Sequence, residues 1–139
     1  MNVEVNLVAV LLAAVSSMAV GALWYSKGMF AKSWIKLAKL DQKKIEAGNP
    51  PALVEAFLSS LLMAYVLAHV AYLSHSFYNQ SFLQDSLTTA FWVWLGFQGL
   101  RMLMHDMFEG RRKKLTLINA GNALVTIMIM GLIIGLMKP

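Results

Sequence analysis

The sequence contains no cysteine among its 139 residues, and charged residues make up only 14% of it. The missing thiols exclude disulfide bonds, thiolate metal sites and cysteine nucleophiles. Hydrophobic residues reach 58%, whereas a soluble domain usually has about 45–50% apolar and 25% charged residues. Since a chain this short cannot bury so much apolar surface in a core of its own, we expect a protein of the lipid bilayer.

Catalytic motifs are also missing. We can place no Ser-His-Asp set, HExxH pair, glycine-rich phosphate loop or pair of catalytic carboxylates at a common level of the predicted spans. Its histidines fall near opposite ends of the apolar runs, so no two of them can face one haem iron. We therefore predict no cofactor and no metal site, and we do not expect an enzyme. A cation held by His105, Asp106 and Glu109 is the alternative, although such clusters beside basic loops are usually solvated ion pairs.

Four runs with almost no charge predict four transmembrane helices, because about 20 apolar residues cross the hydrocarbon of a bilayer. The runs cover approximately residues 5–24, 52–73, 87–104 and 115–137. The predicted fold class is an all-α integral membrane protein with one transmembrane domain over residues 1–139. Its four helices form two packed hairpins.

Small side chains recur every four residues in these runs, and such faces let helix backbones approach closely in lipid. We predict a contact between the first and second spans through Ala9, Ala13, Ser17 and Gly21 on one and Ala56, Ser60, Ala64 and Ala68 on the other. Gly131 and Gly135 form a GxxxG pair in the fourth span. Because such faces exceed what one hairpin needs, we expect a homo-oligomer or a larger membrane complex.

Residues 29–48 show a different, amphipathic pattern. One helical stripe carries Lys32, Lys36, Lys39 and Lys43, and the opposite stripe carries Phe30, Trp34, Leu37 and Ile45. This pattern is typical of a helix that lies in the membrane interface on the cytoplasmic side. A solvated helical hairpin is the alternative. Asp41 would fall on the apolar face of an unbroken helix, so we predict a break there, with Asp41 capping a short second helix.

The lysines and arginines are distributed very unevenly, and this sets the orientation. Eleven of the twelve lie between the first and second spans or between Arg101 and Lys114, and the polar segment Ser74–Ser86, which we expect to be a loop, has none. By the positive-inside rule, both termini should face away from the cytoplasm. We predict a multi-pass protein of the inner (plasma) membrane. Arg111 and Arg112 should join the lysine stripe in binding lipid headgroups, and with the charges so placed we expect no nucleic-acid partner.

The polar residues inside the spans concentrate at the cytoplasmic level. The candidate polar cluster comprises Glu55, Ser59, Gln98, Arg101, His105, Asn119, Asn122, Trp24 and Tyr25. Ionisable groups in a membrane usually face the protein interior and pair, so we predict a Glu55–Arg101 ion pair. The cluster can be a polar pocket open to the cytoplasm, or simply hydrogen bonding between helices with Arg101 reaching the headgroups. Trp24 and Tyr25 either anchor the interface or line that pocket.

Several short stretches resemble a known family. Residues Gly21–Ser26 read GALWYS, and residues 29–34 follow as MFAKSW; the later stretches are HDMFE at His105–Glu109 and LINAG at Leu117–Gly121. Together they resemble domain-of-unknown-function family 1761, a group of small bacterial membrane proteins. The resemblance covers essentially the whole chain and implies four spans. It supplies no activity, substrate or catalytic residue.

Three function classes remain open. The first is a structural or accessory membrane protein that binds partner helices and lipid. The second is an oligomeric transporter or channel that uses the polar cluster. The third is a membrane enzyme acting on a lipid or a quinone.

Overall fold

Helices make up most of the chain in the computed structural model, which describes residues 3–78 and 80–139. In order they are α1 (Leu7–Trp24), α2 (Ala31–Ala38), α3 (Gln42–Ala47), α4 (Pro50–Tyr78), α5 (Phe82–Val93), a π-helical segment (Trp94–Gly99), α6 (Leu100–Phe108) and α7 (Lys113–Met137). No strand occurs within those two ranges.

Three of these helices, α1, α4 and α7, are long and apolar enough to cross a membrane. The predicted third span, residues 87–104, falls on α5, the π segment and α6, which follow one another without an intervening loop. None of these three pieces alone has the length of a span. The protein is therefore all-helical, with at least three helices that suit a bilayer among the described residues.

The helices pack in a cyclic order. Helices α1 and α5 each pack against both α4 and α7, whereas α4 and α7 have few contacts with each other. The end that carries Lys27–Lys44 and Arg111–Lys114 is called the basic end below, and the opposite end is called the far end. The buried core lies in the half toward the far end, and its members include Val10, Ala13, Ala64, Leu67, Ala68, Phe82, Ala90, Ile127, Met130 and Ile134.

The closest helix contact in that half is between α5 and α7. A Cβ atom added to Gly131 would lie 2.9 Å from the Cβ of Ala90, and one added to Gly135 would lie 2.8 Å from the Cα of Leu83. Only glycine allows such an approach of two backbones. The GxxxG pair is thus covered by α5 of the same chain, so it is not the free face that we expected a second copy to use.

The contact between α1 and α4 involves part of the predicted small faces. Ala9, Ala13 and Ser17 are buried, and so are Ala64 and Ala68 on the other helix. Toward the basic end the faces open: Ala56 is exposed, Ser60 is half-buried, and nothing lies within 4 Å of a Cβ added to Gly21. Close packing of these two helices is therefore restricted to the far half.

The predicted loop Ser74–Ser86 is wrong in its extent. Helix α4 continues to Tyr78 and α5 begins at Phe82. A hydrogen-bonded pair supports the helical ends here, because His75 Nδ1 lies 2.8 Å from Asp85 Oδ2, and Asp85 is only 2% exposed. Ser81 also caps α5 through its side chain. The pair joins the end of α4 to the first turn of α5, in a region that the sequence predicted to be a loop.

The predicted break at Asp41 is confirmed. Helix α2 ends at Lys39, whose φ of 54° is left-handed, and the Asp41 side chain accepts a hydrogen bond from the Lys43 backbone N–H at 3.0 Å. The four lysines of the stripe are exposed, while Phe30, Trp34 and Leu37 are half-buried. Helix α3 buries no residue, and Ile45 is 38% exposed.

We expect opposite effects from adding one methyl group at two glycines. Gly135→Ala should lower the melting temperature in detergent, since the new Cβ meets the α5 backbone at 2.8 Å. Gly21→Ala is the matched control, because it adds the same group in open space and gains about 1 kcal/mol of helix propensity. Thermal unfolding of the two variants beside the wild type checks both signs. A rise in both melting temperatures would contradict the close α5–α7 contact.

Candidate functional site

The basic end begins with an aromatic clasp, by which we mean Trp24, Tyr25, Phe30 and Trp34. The Trp24 indole Nε1 donates a hydrogen bond to the Ile118 carbonyl at 3.0 Å, and the Tyr25 hydroxyl donates to Asn119 Oδ1 at 3.0 Å. Burial raises the pKa of the Tyr25 hydroxyl, which keeps it protonated as a donor. These bonds attach the end of α1 to the first turns of α7.

The other two rings of the clasp hold α2 in place. Phe30 stacks on Trp24 with ring centroids 4.8 Å apart, and Trp34 stacks on Tyr25 at 4.6 Å. Such tilted aromatic pairs contribute about 0.5–1.5 kcal/mol beyond their buried area. Helix α2 also contacts α7, and Ala31 at its start is buried. The lysine stripe is therefore carried by a docked helix.

A second tryptophan shapes the π-helical segment. Trp94 Nε1 donates to the Ala120 carbonyl at 3.1 Å, and its ring lies 3.0 Å from the position that a Cβ of Gly99 would occupy. A glycine at the end of the segment makes room for the ring. Short π segments inside longer helices are rare and are found often at functional sites. This one carries Gln98.

A groove opens between α4, α6 and α7 beside that segment. It encloses about 600 Å³ and is called the inner groove below; its lining residues are Met63, Gln98, Arg101, Met102, His105, Asp106, Asn122, Ala123 and Thr126. On α6 and the π segment, the lining residues recur at intervals of three and four, so they form one helical face. Met63 is the contribution of α4. The volume is in the range of about 300–1,000 Å³ that is usual for small-molecule sites.

Two polar atoms in the inner groove are unpaired. Gln98 Oε1 and Asn122 Nδ2 are buried atoms without a hydrogen-bond partner. Leaving such a group unsatisfied costs about 1–3 kcal/mol. Arg101 follows Gln98 by three residues, is exposed, and forms no ion pair within residues 3–78 and 80–139. The groove therefore offers a buried acceptor, a buried donor and an uncompensated cation.

The residues at the rim of the groove pair with one another. Asp106, 5% exposed, accepts a hydrogen bond from the Thr116 hydroxyl at 2.7 Å, which ties α6 to α7. Arg111 Nε lies 2.6 Å from Glu109 Oε2 and 3.8 Å from Asp106 Oδ1. His105 Nδ1 lies 3.5 Å from Glu109 Oε1.

This rim corresponds to the cation alternative of the sequence. Ligand atoms of His105, Asp106 and Glu109 lie within 4.8 Å of one another. However, the Arg111 guanidinium already occupies both carboxylates, and a divalent ion would have to displace it. Arg111 is thus engaged in ion pairs, whereas Arg112 is exposed beside it.

The candidate polar cluster divides into three groups. Trp24 and Tyr25 belong to the aromatic clasp, and Asn119 accepts the hydrogen bond of Tyr25. Gln98, Arg101, His105 and Asn122 line the inner groove. Glu55 and Ser59 are exposed on α4 outside both. The predicted Glu55–Arg101 ion pair does not form, because matching depth along two helices does not bring their side chains to the same side.

Several residues of the site had no part in the predicted cluster. Met63 and Met102 line the groove as apolar groups, and the sequence has no signal that separates them from its other methionines. Thr126 follows Asn122 by four residues, so a polar stripe in the sequence does indicate it. The Asp106–Thr116 bond depends on how the turn between α6 and α7 closes, which no local pattern shows.

A separate surface pocket lies at α2. It encloses about 460 Å³ and is lined by Lys27, Ala31, Lys32, Ile35, Lys36 and Gln42. Three ammonium groups beside one cavity favour a phosphate or another anion. At the rim of the inner groove the Thr116 hydroxyl donates to the Asp106 carboxylate, and this bond joins α6 to α7. Both cavities are suited to binding.

Comparison with known proteins gives one result. The family described as "Protein of unknown function (DUF1761)" matches residues 8–135. No curated protein and no solved structure matches the chain. The family match includes both the aromatic clasp and the inner groove. The chain therefore belongs to the DUF1761 family of proteins of unknown function.

Proposed function

We propose that this chain is a four-span accessory protein of the inner membrane, which binds lipid and partner helices and is not an enzyme. The observation that carries the proposal is the aromatic clasp. It fixes α2 at the basic end with the lysine stripe exposed, as expected of a helix resting on an anionic membrane surface. A loosely attached basic loop would set the same orientation in the membrane, and it would not need the aromatic clasp.

The fourth span in this proposal is α5, the π segment and α6 taken together. They run without an intervening loop from Phe82 to Phe108, which is 27 residues. At about 1.5 Å per residue such a helix is roughly 40 Å long, more than the roughly 30 Å of hydrocarbon. Their packing beside α4 and α7 also supports this assignment. Both termini then face away from the cytoplasm, and the basic end faces it.

Lipid binding is supported by the pocket at Lys27, Lys32 and Lys36. Each basic residue near an anionic leaflet contributes about 1 kcal/mol. Exposed apolar side chains on α1 and α4, such as Leu12, Leu58 and Leu62, suit contact with acyl chains. A homo-oligomer or a larger membrane complex is part of the proposal. It would have to use a face other than Gly131 and Gly135, which α5 covers.

A transporter or channel is the second candidate, and the observation that favours it is the polar lining of the inner groove. The close packing of the far half argues against a path for ions through one chain. Ala13, Ala64, Ala90 and Met130 are fully buried there, and Gly131 contacts α5 closely. A conduit would have to run between chains.

The topology can be measured with single cysteines, since the chain has none of its own. We expect Gln42→Cys and Lys113→Cys to react with a membrane-impermeant thiol reagent only from the cytoplasmic side, and Gln80→Cys only from the other side. All three positions are exposed. If Lys113→Cys reacts from the same side as Gln80→Cys, then α5–α6 does not cross and the protein has three spans.

The surface position of α2 and α3 can be measured with a polarity-sensitive dye at Ile45→Cys. We expect a blue shift in vesicles with anionic lipid and a smaller one in zwitterionic vesicles. Adding Lys32→Gln and Lys36→Gln to the dye-labelled Ile45→Cys protein should weaken the association of α2 and α3 with the vesicle surface by about 2 kcal/mol, or roughly thirtyfold. The same dye at Gln80→Cys is the control and should not respond to lipid charge. An unchanged spectrum at Ile45→Cys in all vesicles would favour a solvated hairpin.

Transport can be tested in proteoliposomes loaded with a pH-sensitive dye or an ion indicator. We expect no ion or proton flux above that of protein-free vesicles. A separate measurement of the native mass shows whether one or several chains are present. If flux is found, and Arg101→Ala abolishes it without changing the native mass, the transporter replaces the accessory protein as the function.

A further inference from the structure

We propose that the inner groove binds a monoacyl phospholipid, with its phosphate on Arg101 and its free glycerol hydroxyl between Gln98 and Asn122. This deepens the proposed function and rests on its four-span placement, which puts the groove beside the inner leaflet.

The two amides require complementary partners. Gln98 Oε1 needs a donor and Asn122 Nδ2 needs an acceptor. A hydroxyl is both at once, so a single hydroxyl that enters between the two side chains can pair with both atoms once the amides turn them toward the groove. The ester carbonyl of a diacyl lipid accepts only and would leave Gln98 Oε1 unpaired. The amide pair therefore distinguishes a free hydroxyl from an ester on the backbone carbon next to the one that bears the phosphate.

Arg101 supplies the site for the phosphate. Its guanidinium is exposed and without an ion pair in the described ranges, and arginine binds phosphate oxygens in a bidentate manner. Two carboxylates lie nearby, but Asp106 is held by Thr116, and both Asp106 and Glu109 face Arg111. They leave the positive charge of Arg101 uncompensated on its side of the groove.

The spacing of these groups follows the order of groups in such a lipid. Arg101 is three residues nearer the basic end than Gln98, or about 4.5 Å along the helix axis. In a monoacyl phospholipid the free hydroxyl is on the carbon next to the one bearing the phosphate ester, on the side of the acyl chain. A phosphate at Arg101 thus places the hydroxyl one turn deeper, at the level of the amides.

The groove also has a route for the chain. It is lined by Met63 of α4, which is exposed, together with Met102 and Ala123. Methionine side chains adapt their shape to flexible apolar ligands. Helices α4 and α6 have little contact with each other, so the groove is open to the side between them. A ligand can enter from the leaflet without crossing water.

The test compares lipids that differ in one group. The full-length protein in phosphatidylcholine nanodiscs is titrated with lysophosphatidylglycerol, its 2-deoxy analogue, diacyl phosphatidylglycerol and soluble glycerol 3-phosphate. Bound ligand is counted by native mass spectrometry. We expect lysophosphatidylglycerol to bind about tenfold more tightly than the 2-deoxy analogue and the diacyl lipid, the size of one to two hydrogen bonds. Glycerol 3-phosphate should not bind measurably.

The variants separate the two contacts. Arg101→Gln should weaken binding of lysophosphatidylglycerol and of its 2-deoxy analogue alike by about tenfold or more, as expected for a charge-assisted bond. Gln98→Met has nearly the same shape and should remove the preference for the hydroxyl. It should also raise the melting temperature without lipid, because it removes an unpaired buried oxygen. If Gln98 only stabilised the fold, its replacement would lower the melting temperature instead. Glu55→Gln, exposed outside the groove, is the matched control.

Three outcomes would overturn the proposal: equal binding of the hydroxyl and deoxy lipids, a preference that persists in Gln98→Met, or tight binding of glycerol 3-phosphate, which would make the ligand a soluble phosphate. The thiol labelling distinguishes this failure from that of the proposed function. If labelling gives four spans and the lipids still do not differ, only the groove assignment fails. If Lys113→Cys reacts from the far side, the placement itself fails.

Discussion

The structure depends on how closely helix backbones can approach α7 at each of its two ends. At the far end, Gly131 and Gly135 let α5 come into backbone contact. At the basic end, Gly121 contacts the ring of Trp24 instead, at 3.1 Å from an added Cβ. An indole is much wider than a backbone contact, so α1 cannot approach there as closely as α5 does at the far end. Dispersion contacts close one end, and inserted rings hold the other open.

The inner groove follows from this difference. Two indole N–H groups, of Trp24 and Trp94, donate to carbonyls of α7 only two residues apart, at Ile118 and Ala120. Each ring gains a hydrogen bond that a buried indole requires, and each is seated against a glycine. Helix α4 has little contact with the π segment or with α6, which leaves the groove between them. The polar pocket is a consequence of this packing, and its two amides each keep one buried atom unpaired.

The sequence predicted those features that depend on composition and period. Hydropathy located α1, α4 and α7, the three helices long and apolar enough to cross a membrane, because bilayer thickness sets their length. Asp41 located the α2–α3 break because an acidic residue does not fit an apolar stripe. It did not predict the extent of the α4–α5 connection, because the hydrogen bond between half-exposed His75 and buried Asp85 joins two longer helices there. Nor did it predict the π segment, which depends on where the ring of Trp94 is seated. The Glu55–Arg101 pair failed because depth is read from position along a helix, whereas direction around the axis depends on packing.

The unequal ends also bear on what kind of function the protein can perform. Conduction requires a polar path through the whole bundle, and alternating access requires both halves to open in turn. In this chain the far half is held by glycine contacts, by small buried side chains and by the His75–Asp85 pair, and separating these elements would expose backbone and a buried carboxylate. Opening at the basic end needs none of this, because the groove is already open. The groups that a molecule in the inner groove would meet are the amides of Gln98 and Asn122 and the guanidinium of Arg101.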